Sequence, residues 1–494
     1  MKKGQEYIGT VERIKFPDKG VVSVLSEDGA RESCVVKNVI PGQKVRFRVT
    51  KKKNGRYEGM LMEVLERSEA EVSSFCHHFP QCGGCVYQTL PYEEQLRLKE
   101  GQVHDLLGNL VDISKFCEEI VPSPCQFEYR NKMEFSFGDA SFGGDLELGL
   151  HKRGSFYDIV TSDKCRIVDD DFRKILSETL SYFRGKDTSY FHKRTHVGFL
   201  RHLLVRKAFA TGEILIDLVT TSQQPVDTIC TEISLLDDWK EALLNLKLKG
   251  EIAGILHTVN DGVADTVAND MTEVLYGREY FNETVLGLSF KITPFSFFQT
   301  NTQSAEVLYS KVREYAALAG ASDDMVIYDL YSGTGTIGQL MSTIAHKVIG
   351  VEIVEEAVKA ANENAELNGL HNCQFVAGDV LAVLDDISEK PDLIILDPPR
   401  DGVNPKALAK IASYGVEHII YISCKPTSLV RDLEYLMQNG YSPVKICPID
   451  QFPGTVHVET VCLLSNRKAD SHIKLSLDMD EYYDIIEKEQ AENK

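Results

Sequence analysis

Two apolar runs separated by a helical pattern constrain this chain more than any other feature. The runs occupy residues 393–396 and 419–422, and each ends in a polar turn. This arrangement predicts a β-α-β unit of an open α/β sheet, in which ligands bind at the carboxyl ends of the strands. The first turn carries Asp397 and Arg400, and the second carries Cys424. A cysteine in this position is either a nucleophile or a small buried residue that ends the strand.

A glycine-rich turn upstream predicts that the same sheet binds a nucleotide-like cofactor. An apolar run at 326–331 contains Asp329 and leads into Ser-Gly-Thr-Gly-Thr-Ile-Gly. Glu352 ends the following strand, where a carboxylate can bind both ribose hydroxyls, and Asp379 ends the next one, near the expected adenine. An acid just before the glycines would repel a pyrophosphate but suits a sulfonium cation. The sequence therefore favours S-adenosylmethionine over a nicotinamide dinucleotide.

The composition indicates several soluble domains and no membrane span. A chain of 494 residues is expected to form roughly two to four domains. It contains no run of about 18 apolar residues, and its start lacks the apolar core of a signal peptide, so we expect a cytoplasmic protein. The net charge of −20 argues against a nucleic-acid ligand. However, residues 1–66 and 191–207 are rich in Lys and Arg, and local patches decide phosphate contact.

Residues 4–66 predict a small β-barrel. Short stretches of alternating apolar and polar residues are separated there by turns rich in Gly, Asp and Asn. The segment Val-Ile-Pro-Gly-Gln-Lys-Val from Val39 is typical of small OB-like barrels, and the region resembles the TRAM domain that precedes many RNA-modifying enzymes. The basic residues at 51–53 and Arg56 would form a hairpin tip that contacts RNA, although such a run also suits a solvated turn.

A cysteine motif follows the barrel. Cys76, Cys82 and Cys85 have the spacing C-x5-C-x2-C, with paired glycines between the last two. Three thiolates this close in sequence predict a metal ion or cluster, and Cys165 is the best candidate for a fourth ligand. Four thiolates suit a 4Fe–4S cluster or a structural zinc ion, and the adjacent histidines could compete as ligands. Zinc sites usually contain two C-x2-C pairs, so the single pair here favours the cluster.

The remaining patterns divide the chain into regions. Residues 92–110 are helical, and alternating strands run from about 129 to 295. We expect a barrel at 1–66, a central α+β domain with the iron–sulfur site at 67–295, a Rossmann-like S-adenosylmethionine methyltransferase domain at 296–466 and an acidic tail at 467–494. The helix at 92–110 could instead pack on the catalytic domain. Four cationic residues of the central region either line an RNA groove or solvate the sheet: Arg130, Lys132, Arg201 and Arg206.

One reaction explains a methyl donor, Cys424 and the later Glu459 together. Carbon 5 of uracil is a poor nucleophile until a thiolate adds to carbon 6 and converts the ring to an enolate. The methyl group then passes to carbon 5, and a base removes the proton there. The uridine must be flipped out of a helix or lie in a single-stranded loop. Asp397 would hold the ring near the donor, and the Phe-Phe-Gln at 297–299 suits either a pocket for a base or cofactor or a core strand.

These motifs together resemble the RumA/TrmA family of RNA (uracil-5-)-methyltransferases, in the RumA-type branch with a TRAM domain and an iron–sulfur cluster. The motifs that carry the resemblance are C-x5-C-G-G-C from Cys76, Phe-Phe-Gln from Phe297, Asp-Leu-Tyr-Ser-Gly-Thr-Gly from Asp329, Leu-Asp-Pro-Pro-Arg-Asp-Gly from Leu396, Ile-Ser-Cys-Lys-Pro from Ile422 and His-Val-Glu-Thr-Val from His457. The resemblance implies a nucleophile at Cys424, a base at Glu459, S-adenosylmethionine contacts from Gln299, Tyr331, Glu352 and Asp397, and a 4Fe–4S cluster on Cys76, Cys82, Cys85 and Cys165. It also implies 23S ribosomal RNA as the substrate.

Other substrates and roles stay open from the sequence alone. A transfer RNA uracil-5-methyltransferase and a non-catalytic RNA-binding relative are compatible with the same motifs. A small-molecule methyltransferase would have no use for the basic barrel, and a cytosine-5-methyltransferase would also add a thiolate to carbon 6. We expect a monomer that binds RNA and does not bind a membrane.

Overall fold

The computed structural model of the chain describes residues 1–25, 29, 31–223, 232–263, 271–384 and 387–466. The acidic tail predicted at 467–494 lies outside these residues. No helix in the described ranges is long and apolar enough to cross a membrane.

The amino-terminal strands close into a barrel, which confirms the predicted small OB-like barrel. Its strands are Glu6–Lys15 (β1), Lys19–Leu25 (β2), Arg31–Lys37 (β3), Lys44–Lys53 (β4) and Arg56–Glu66 (β5). They pair in the order β1-β2-β3-β5-β4. Apolar side chains at alternate positions, among them Val22, Val45 and Phe47, are fully buried inside, because a strand presents successive residues to opposite faces. Lys53 pairs with Arg56 at the predicted basic hairpin tip.

A connecting segment leaves the barrel and packs on the carboxyl-terminal sheet. It contains two helices, α1 (Tyr92–Leu107) and α2 (Ile113–Phe116). Val103 and Leu107 of α1 are fully buried in the same apolar core as Leu330 and Leu396. After α2 the segment follows a catalytic strand, since the amide of Glu118 donates to the carbonyl of Ile446 over 2.8 Å. The helix predicted near 92–110 therefore packs on the catalytic region.

The central region is a seven-stranded sheet with two helices packed on one face. The strands are Lys132–Asp139 (β6), Leu146–His151 (β7), Ile159–Thr161 (β8), Leu200–Lys207 (β9), Glu213–Thr220 (β10), Glu251–Val259 (β11) and Met271–Gly277 (β12), and the helices are Asp170–Gly185 (α3) and Glu232–Leu244 (α4). The strand order is β12-β11-β10-β9-β6-β7-β8. Phe172 and Phe183 of α3 and Trp239 of α4 are fully buried with Phe135 and Leu203 of the sheet, which gives this region its own core.

A β-hairpin, β13 (Phe281–Val285) and β14 (Leu288–Ile292), joins the central sheet to the catalytic region. Its side chains Val285 and Phe290 are buried in a core that also contains catalytic strands. The hairpin is bonded to two asparagine side chains of the carboxyl-terminal region. The amide of Ser289 donates to Asn368, and the amide of Lys291 donates to Asn364, each at 2.8 Å. The hairpin thus packs with the sheet that follows it, and the predicted boundary at 295 stays a prediction.

The carboxyl-terminal region is a seven-stranded sheet of mixed direction. Its strands are Val326–Leu330 (β15), Lys347–Glu352 (β16), Cys373–Ala377 (β17), Leu393–Leu396 (β18), His418–Ser423 (β19), Tyr441–Ile449 (β20) and Glu459–Asn466 (β21). The order is β17-β16-β15-β18-β19-β21-β20, in which β15–β19 are parallel and β21 is antiparallel to both neighbours. Its helices are Thr302–Leu318 (α5), Thr336–Met341 (α6), Glu355–Leu367 (α7), Val380–Val383 (α8), Pro405–Ser413 (α9) and Pro426–Gln438 (α10).

The parallel strands explain the continuous apolar runs in the sequence. Every residue of β18 is fully buried, because helices cover both faces of a parallel sheet. Parallel strands end at one edge, so the polar turns after β15, β16, β18 and β19 come together there. This architecture confirms the predicted α/β methyltransferase fold.

Candidate active site

The last strand brings the predicted base opposite the predicted nucleophile. β21 runs antiparallel to β19, and Ser423 pairs with Thr460. The same register carried one residue further sets Cys424 opposite Glu459. Cys424 is the first residue after β19, so its side chain lies beside that of Glu459 at this end of the strand pair, and the charge of Glu459 acts on the Cys424 thiol. The two groups that the sequence assigned to nucleophile and base therefore lie at one site.

Burial favours the uncharged form of both groups. Burial, then the charges of Glu459 and Asp397, raises the pKa of Cys424 to about 11, while the charge of Arg400 opposes the shift. Glu459 is only 5% exposed. Burial, followed by the charge of Asp397, raises its pKa to about 8. A neighbouring cation would lower both pKa values and favour the thiolate and the carboxylate.

Two more acidic groups lie at neighbouring strand ends. Asp397 follows β18, and burial raises its pKa to about 7. Asp329 is fully buried and accepts a hydrogen bond from the Gly338 amide over 2.8 Å; among the described residues its other oxygen has no partner. Burial, and then the charges of Asp397 and Glu352, raises the pKa of Asp329 to about 7. Such a group of acids suits a cationic ligand, as the sequence predicted for a sulfonium.

The glycine-rich turn is shaped by left-handed backbone conformations. Tyr331 has φ +67°, and Gly333 and Gly335 have φ +53° and +73°, a region in which glycine has no steric penalty. Glu352, at the end of β16, accepts hydrogen bonds from the amides of Gly333 and Val354, each with a donor–acceptor distance of 3.0 Å. These bonds hold the carboxylate beside the turn, where the resemblance implies contacts with the ribose. Tyr331 is partly buried at the same turn.

The side chain of Gln299 is held by a second glutamine that the sequence analysis missed. Nε2 of Gln451 donates to Oε1 of Gln299 over 2.8 Å. Gln451 is fully buried, and in the part of the chain that the structure describes its Oε1 has no hydrogen-bond partner. Since Oε1 of Gln299 already accepts this hydrogen bond, the NH2 group of the same side chain can donate to a ligand. A Gln beside an aromatic turn residue could have signalled this pair, but only the fold shows that 451 lies next to 299.

The aromatic segment before α5 divides between core and surface. Phe298 is buried and packs on Phe290, with ring centres 5.8 Å apart. Phe297 is 67% exposed, and its carbonyl accepts a hydrogen bond from the Thr334 hydroxyl over 3.2 Å. The exposed ring therefore stands beside the glycine-rich turn, where it is free to contact a base or the cofactor, and Phe298 takes the structural role.

The four predicted ligand cysteines lie in one region. Cys76, Cys82, Cys85 and Cys165 are all free thiols. Burial raises the pKa of Cys165 to about 12, and the charges of the other three thiols add to the shift, so the four sulfur atoms lie within Coulombic reach of one another. Across the described ranges, however, no three His, Cys, Asp or Glu side chains are close enough to hold a metal ion. The cluster is therefore not borne out by the structure and stays a prediction.

The loop before β21 contacts the cysteine region directly. The carbonyl of Gly454 accepts hydrogen bonds from the amides of Val86 and Tyr87, each with a donor–acceptor distance of 2.9 Å. Gly454 has φ +78°, and a Cβ atom there would lie 3.9 Å from Sγ of Cys85. The same loop leads within a few residues to Glu459, so it connects the cysteine region to the catalytic strand.

Two of the cationic residues predicted for an RNA groove are buried structural groups. Nη1 of Arg206 donates to the carbonyl of Thr293 at 2.5 Å and to the carbonyl of Ser296 at 2.9 Å. These two bonds fix the turn before Phe297. Arg201 donates from Nη1 to the carbonyl of Asn260 over 2.7 Å. Both side chains are less than 5% exposed, so neither lines a groove nor solvates the sheet.

Comparison with known proteins gives the relationship. A family model described as tRNA (uracil-5-)-methyltransferase matches residues 200–467. A protein of Clostridium tetani described as an uncharacterized RNA methyltransferase is 47% identical over 462 residues, which cover 93% of this chain and 98% of that protein. This chain belongs to the tRNA (uracil-5-)-methyltransferase family. Another uncharacterized RNA methyltransferase, from Caldanaerobacter subterraneus, is 50% identical over 431 residues, or 87% of this chain and 93% of that protein.

A solved structure has the same fold as this methyltransferase. The crystal structure of Pyrococcus abyssi tRNA (uracil-54, C5)-methyltransferase in complex with S-adenosyl-L-homocysteine aligns with a TM-score of 0.71, covering 93% of this chain and all of that chain at 24% identity. The family membership confirms the predicted S-adenosylmethionine-dependent RNA methyltransferase. The roles of individual site residues stay predictions.

Proposed function

We propose that this methyltransferase transfers the methyl group of S-adenosylmethionine to carbon 5 of a uridine in RNA, through a covalent bond between Cys424 and carbon 6. The observation that carries the proposal is the register of β19 and β21, which ends with Ser423 opposite Thr460 and so brings the adjacent residues, Cys424 and Glu459, close enough for the charge of Glu459 to act on the thiol. The reaction needs a nucleophile and a separate base at one ring. Asp329, which is fully buried, and Asp397, which is partly buried, are acids beside this pair that suit the positive charge of the methyl donor.

In the first half of the reaction, the Cys424 thiol gives its proton to solvent and its sulfur adds to carbon 6 of uracil. The electron pair of the carbon 5–carbon 6 bond forms an enolate, and carbon 5 attacks the methyl group. The bond from methyl to the donor sulfur breaks with its electrons on sulfur, which gives S-adenosylhomocysteine. The positive charge of the donor and that of Arg400, which already opposes the raised pKa of Cys424, favour the thiolate.

In the second half, Glu459 removes the remaining proton from carbon 5. The carbon 5–carbon 6 double bond forms again, and Cys424 leaves as a thiolate with the electron pair of its bond to carbon. Because burial raises the pKa of Glu459 to about 8, its carboxylate is a stronger base than an exposed one. The Glu459 proton then passes to solvent, the Cys424 thiolate takes up a proton from solvent, and the enzyme is restored.

We assign donor binding to the four side chains around the carboxyl edge of the sheet. Glu352 suits the ribose hydroxyls, because two backbone amides fix its carboxylate. Gln299 offers a fixed amide donor, and Asp397 offers negative charge near the sulfonium. Tyr331 is the remaining contact, at the strained turn beside β15. Weaker S-adenosylmethionine binding in each single alanine variant would support this set.

Two variants test the chemistry. Cys424→Ala should bind RNA and transfer no methyl group, whereas Glu459→Gln should accumulate a methylated protein–RNA adduct that survives denaturation, because the base needed for release is missing. Cys373→Ala, at the start of β17 and therefore at the opposite end of the sheet, is the matched control and should keep full activity. An active Cys424→Ala enzyme would overturn the mechanism, and 5-methylcytidine in the product would overturn the uracil assignment.

The proposed substrate is 23S ribosomal RNA, with the target uridine flipped out of a loop. The basic hairpin tip of the TRAM-like barrel supports an RNA partner. Transfer RNA is the second candidate, because the matching family and the Pyrococcus abyssi enzyme carry transfer RNA in their names. Mapping 5-methyluridine in both RNA pools, with and without this protein, decides between them. The monomeric state is a further prediction, which analytical sedimentation tests.

We also propose that Cys76, Cys82, Cys85 and Cys165 hold a 4Fe–4S cluster. The support is the donor set, since four free thiols lie within Coulombic reach of one another, and four thiolates suit such a cluster. Protein purified without oxygen should contain iron and labile sulfide, and Cys85→Ser should lose both. Zinc without iron in the same preparation would contradict the proposal.

A further inference from the structure

Three cations lie together where two inner strands of the central sheet, β6 and β9, pair beside the active site. Lys132 of β6 pairs across strands with Arg206 of β9. Arg130 donates from Nε to the Lys132 carbonyl over 3.0 Å. The like charges of Arg206 and Arg130 both act on Lys132, and Glu134 is the acid that opposes them. Positive charge therefore exceeds negative charge at this position.

Lys132 differs from its two neighbours in having no partner. The Arg206 guanidinium is satisfied by backbone carbonyls, and Arg130 lies over the ring of Phe452, 5.9 Å from its centre. Among the described residues, the Lys132 ammonium group has no ion pair and no hydrogen-bond acceptor. Burial, and then the charge of Arg206, lowers its pKa to about 8. Glu134 acts on this cation through its charge without contacting it, and a half-buried cation that lacks a direct ion pair costs free energy, which an anionic ligand would offset.

The position of Lys132 places this cation at the wall of the catalytic site. Asn131, next to it, donates from Nδ2 to the carbonyl of Gln299 over 3.0 Å. The positive charge of Arg130 contributes to the low pKa of His457, which burial lowers to about 4, and His457 is two residues before Glu459. The strand start that carries Lys132 is thus held against both the donor side and the base side of the pocket.

We propose that Lys132 binds a backbone phosphate of the substrate RNA next to the flipped uridine. The inference rests on the proposed RNA activity and adds the residue that positions the substrate. An anionic oxygen is the chemistry recognised, and the carboxylate of S-adenosylmethionine is its other source. We favour the phosphate because Lys132 belongs to the central sheet, whereas three of the four assigned donor contacts, Tyr331, Glu352 and Asp397, lie at the ends of strands of the carboxyl-terminal sheet; the fourth, Gln299, meets the central sheet only through its carbonyl, which Asn131 bonds.

Lys132→Met tests the assignment, with Lys347→Met as the matched control. Lys347 is at the start of β16, the end of the catalytic sheet away from the site, and pairs with Glu389 over 2.7 Å. RNA affinity is measured over a range of salt concentrations, with the transcript that the unaltered enzyme methylates. Calorimetry measures S-adenosylmethionine affinity, and thermal unfolding measures stability.

We expect Lys132→Met to weaken RNA binding and to reduce the slope of log affinity against log salt by about 0.7 to 0.9, the contribution of one phosphate contact. Its S-adenosylmethionine affinity should equal that of the control. Its melting temperature should not fall, because replacing an unpaired buried charge by an apolar side chain is neutral or stabilising. Lys132→Arg, which keeps the charge, should restore most of the salt slope.

Several results would overturn the inference. An unchanged RNA affinity and salt slope would remove the phosphate contact, and weaker donor binding with unchanged RNA binding would assign Lys132 to the donor carboxylate. A lower melting temperature with an unchanged slope would show a structural role. Each of these three results compares a variant with the unaltered enzyme, which methylates RNA in the same assay. None of them therefore contradicts the proposed function. Absence of uracil methylation by the unaltered enzyme would remove the proposed function itself.

Discussion

A buried ion pair fixes the loop that leads to Glu459, and breaking it should be costly. Nζ of Lys99, on α1, lies 2.6 Å from Oδ1 of Asp450 and also donates to the carbonyl of Phe452 over 3.1 Å. Both charged side chains are fully buried. Replacing Lys99 by Met removes the counter-charge and leaves a buried carboxylate without it. Burial is the main influence on Lys99, whose pKa it lowers.

The magnitude follows from the burial of both partners. Removing one member of a buried ion pair destabilises a protein by about 3–5 kcal/mol. For a domain of this size about 2–4 °C of melting temperature corresponds to each kcal/mol, so Lys99→Met should lower the melting temperature by roughly 6–20 °C. Adding Asp450→Asn removes the stranded charge and keeps the acceptor for the Phe452 amide. The double variant should therefore recover at least half of the loss.

Thermal unfolding followed by far-ultraviolet circular dichroism measures both variants, with Lys347→Met as an exposed ion-pair control. Exposed pairs contribute only about 0–1 kcal/mol, so the control should melt within a few degrees of the unaltered protein. Methyl transfer by Lys99→Met, measured below its melting temperature, should also fall, because the loop before Glu459 loses two of its anchors. A single variant as stable as the control, or a double variant less stable than the single one, would refute the reasoning.

Four further predictions concern the site. The value of kcat/KM should rise with pH through about 8, because the base that we propose, Glu459, has a raised pKa, and an activity that falls over this range would contradict that role. Between pH 4.5 and 8 the folded protein keeps the Glu459 proton, whereas the unfolded chain releases it. The contribution of Glu459 to stability is therefore complete below pH 4.5 and is lost as the pH rises through 8. The melting temperature of Glu459→Gln should not show this loss. Calorimetry near pH 7 in buffers of different ionisation enthalpy should show proton release from Asp329 and Asp397 when S-adenosylmethionine binds, and less with the uncharged S-adenosylhomocysteine. Gln451→Met should weaken donor binding about 5-fold, the worth of one positioning hydrogen bond of about 1 kcal/mol, and unchanged binding would remove its assigned effect on Gln299.

Local patterns were sufficient to predict the catalytic sheet. The run 393–396 is apolar at every position because it is covered on both faces, and glycines are needed where Gly333 and Gly335 adopt positive φ. Cys424 and Glu459 could be matched by chemistry before their register was known. The barrel followed in the same way from alternation of period two.

Contacts between distant segments could not be read in advance. Gln451 and Gln299 are bonded across 152 positions of sequence, and neither has a local pattern that signals the other. Arg206 looks like an exposed strand cation in sequence, but it is buried because it satisfies several carbonyls of one turn. The cysteine spacing likewise predicts ligands, whereas the distances between sulfur atoms depend on how Cys165 is brought to the motif from another segment.

The turn at Gly454 has a consequence for how a change in the cysteine region would act on the active site. Its backbone is bonded to the segment just after Cys85, and the chain then runs directly into the strand that begins with Glu459. A change at Cys85 would therefore act first on the turn at Gly454 and, through it, on the start of β21 that carries Glu459. We expect Cys85→Ser to lower methyl transfer more than Cys373→Ala does, although neither side chain belongs to the proposed catalytic pair.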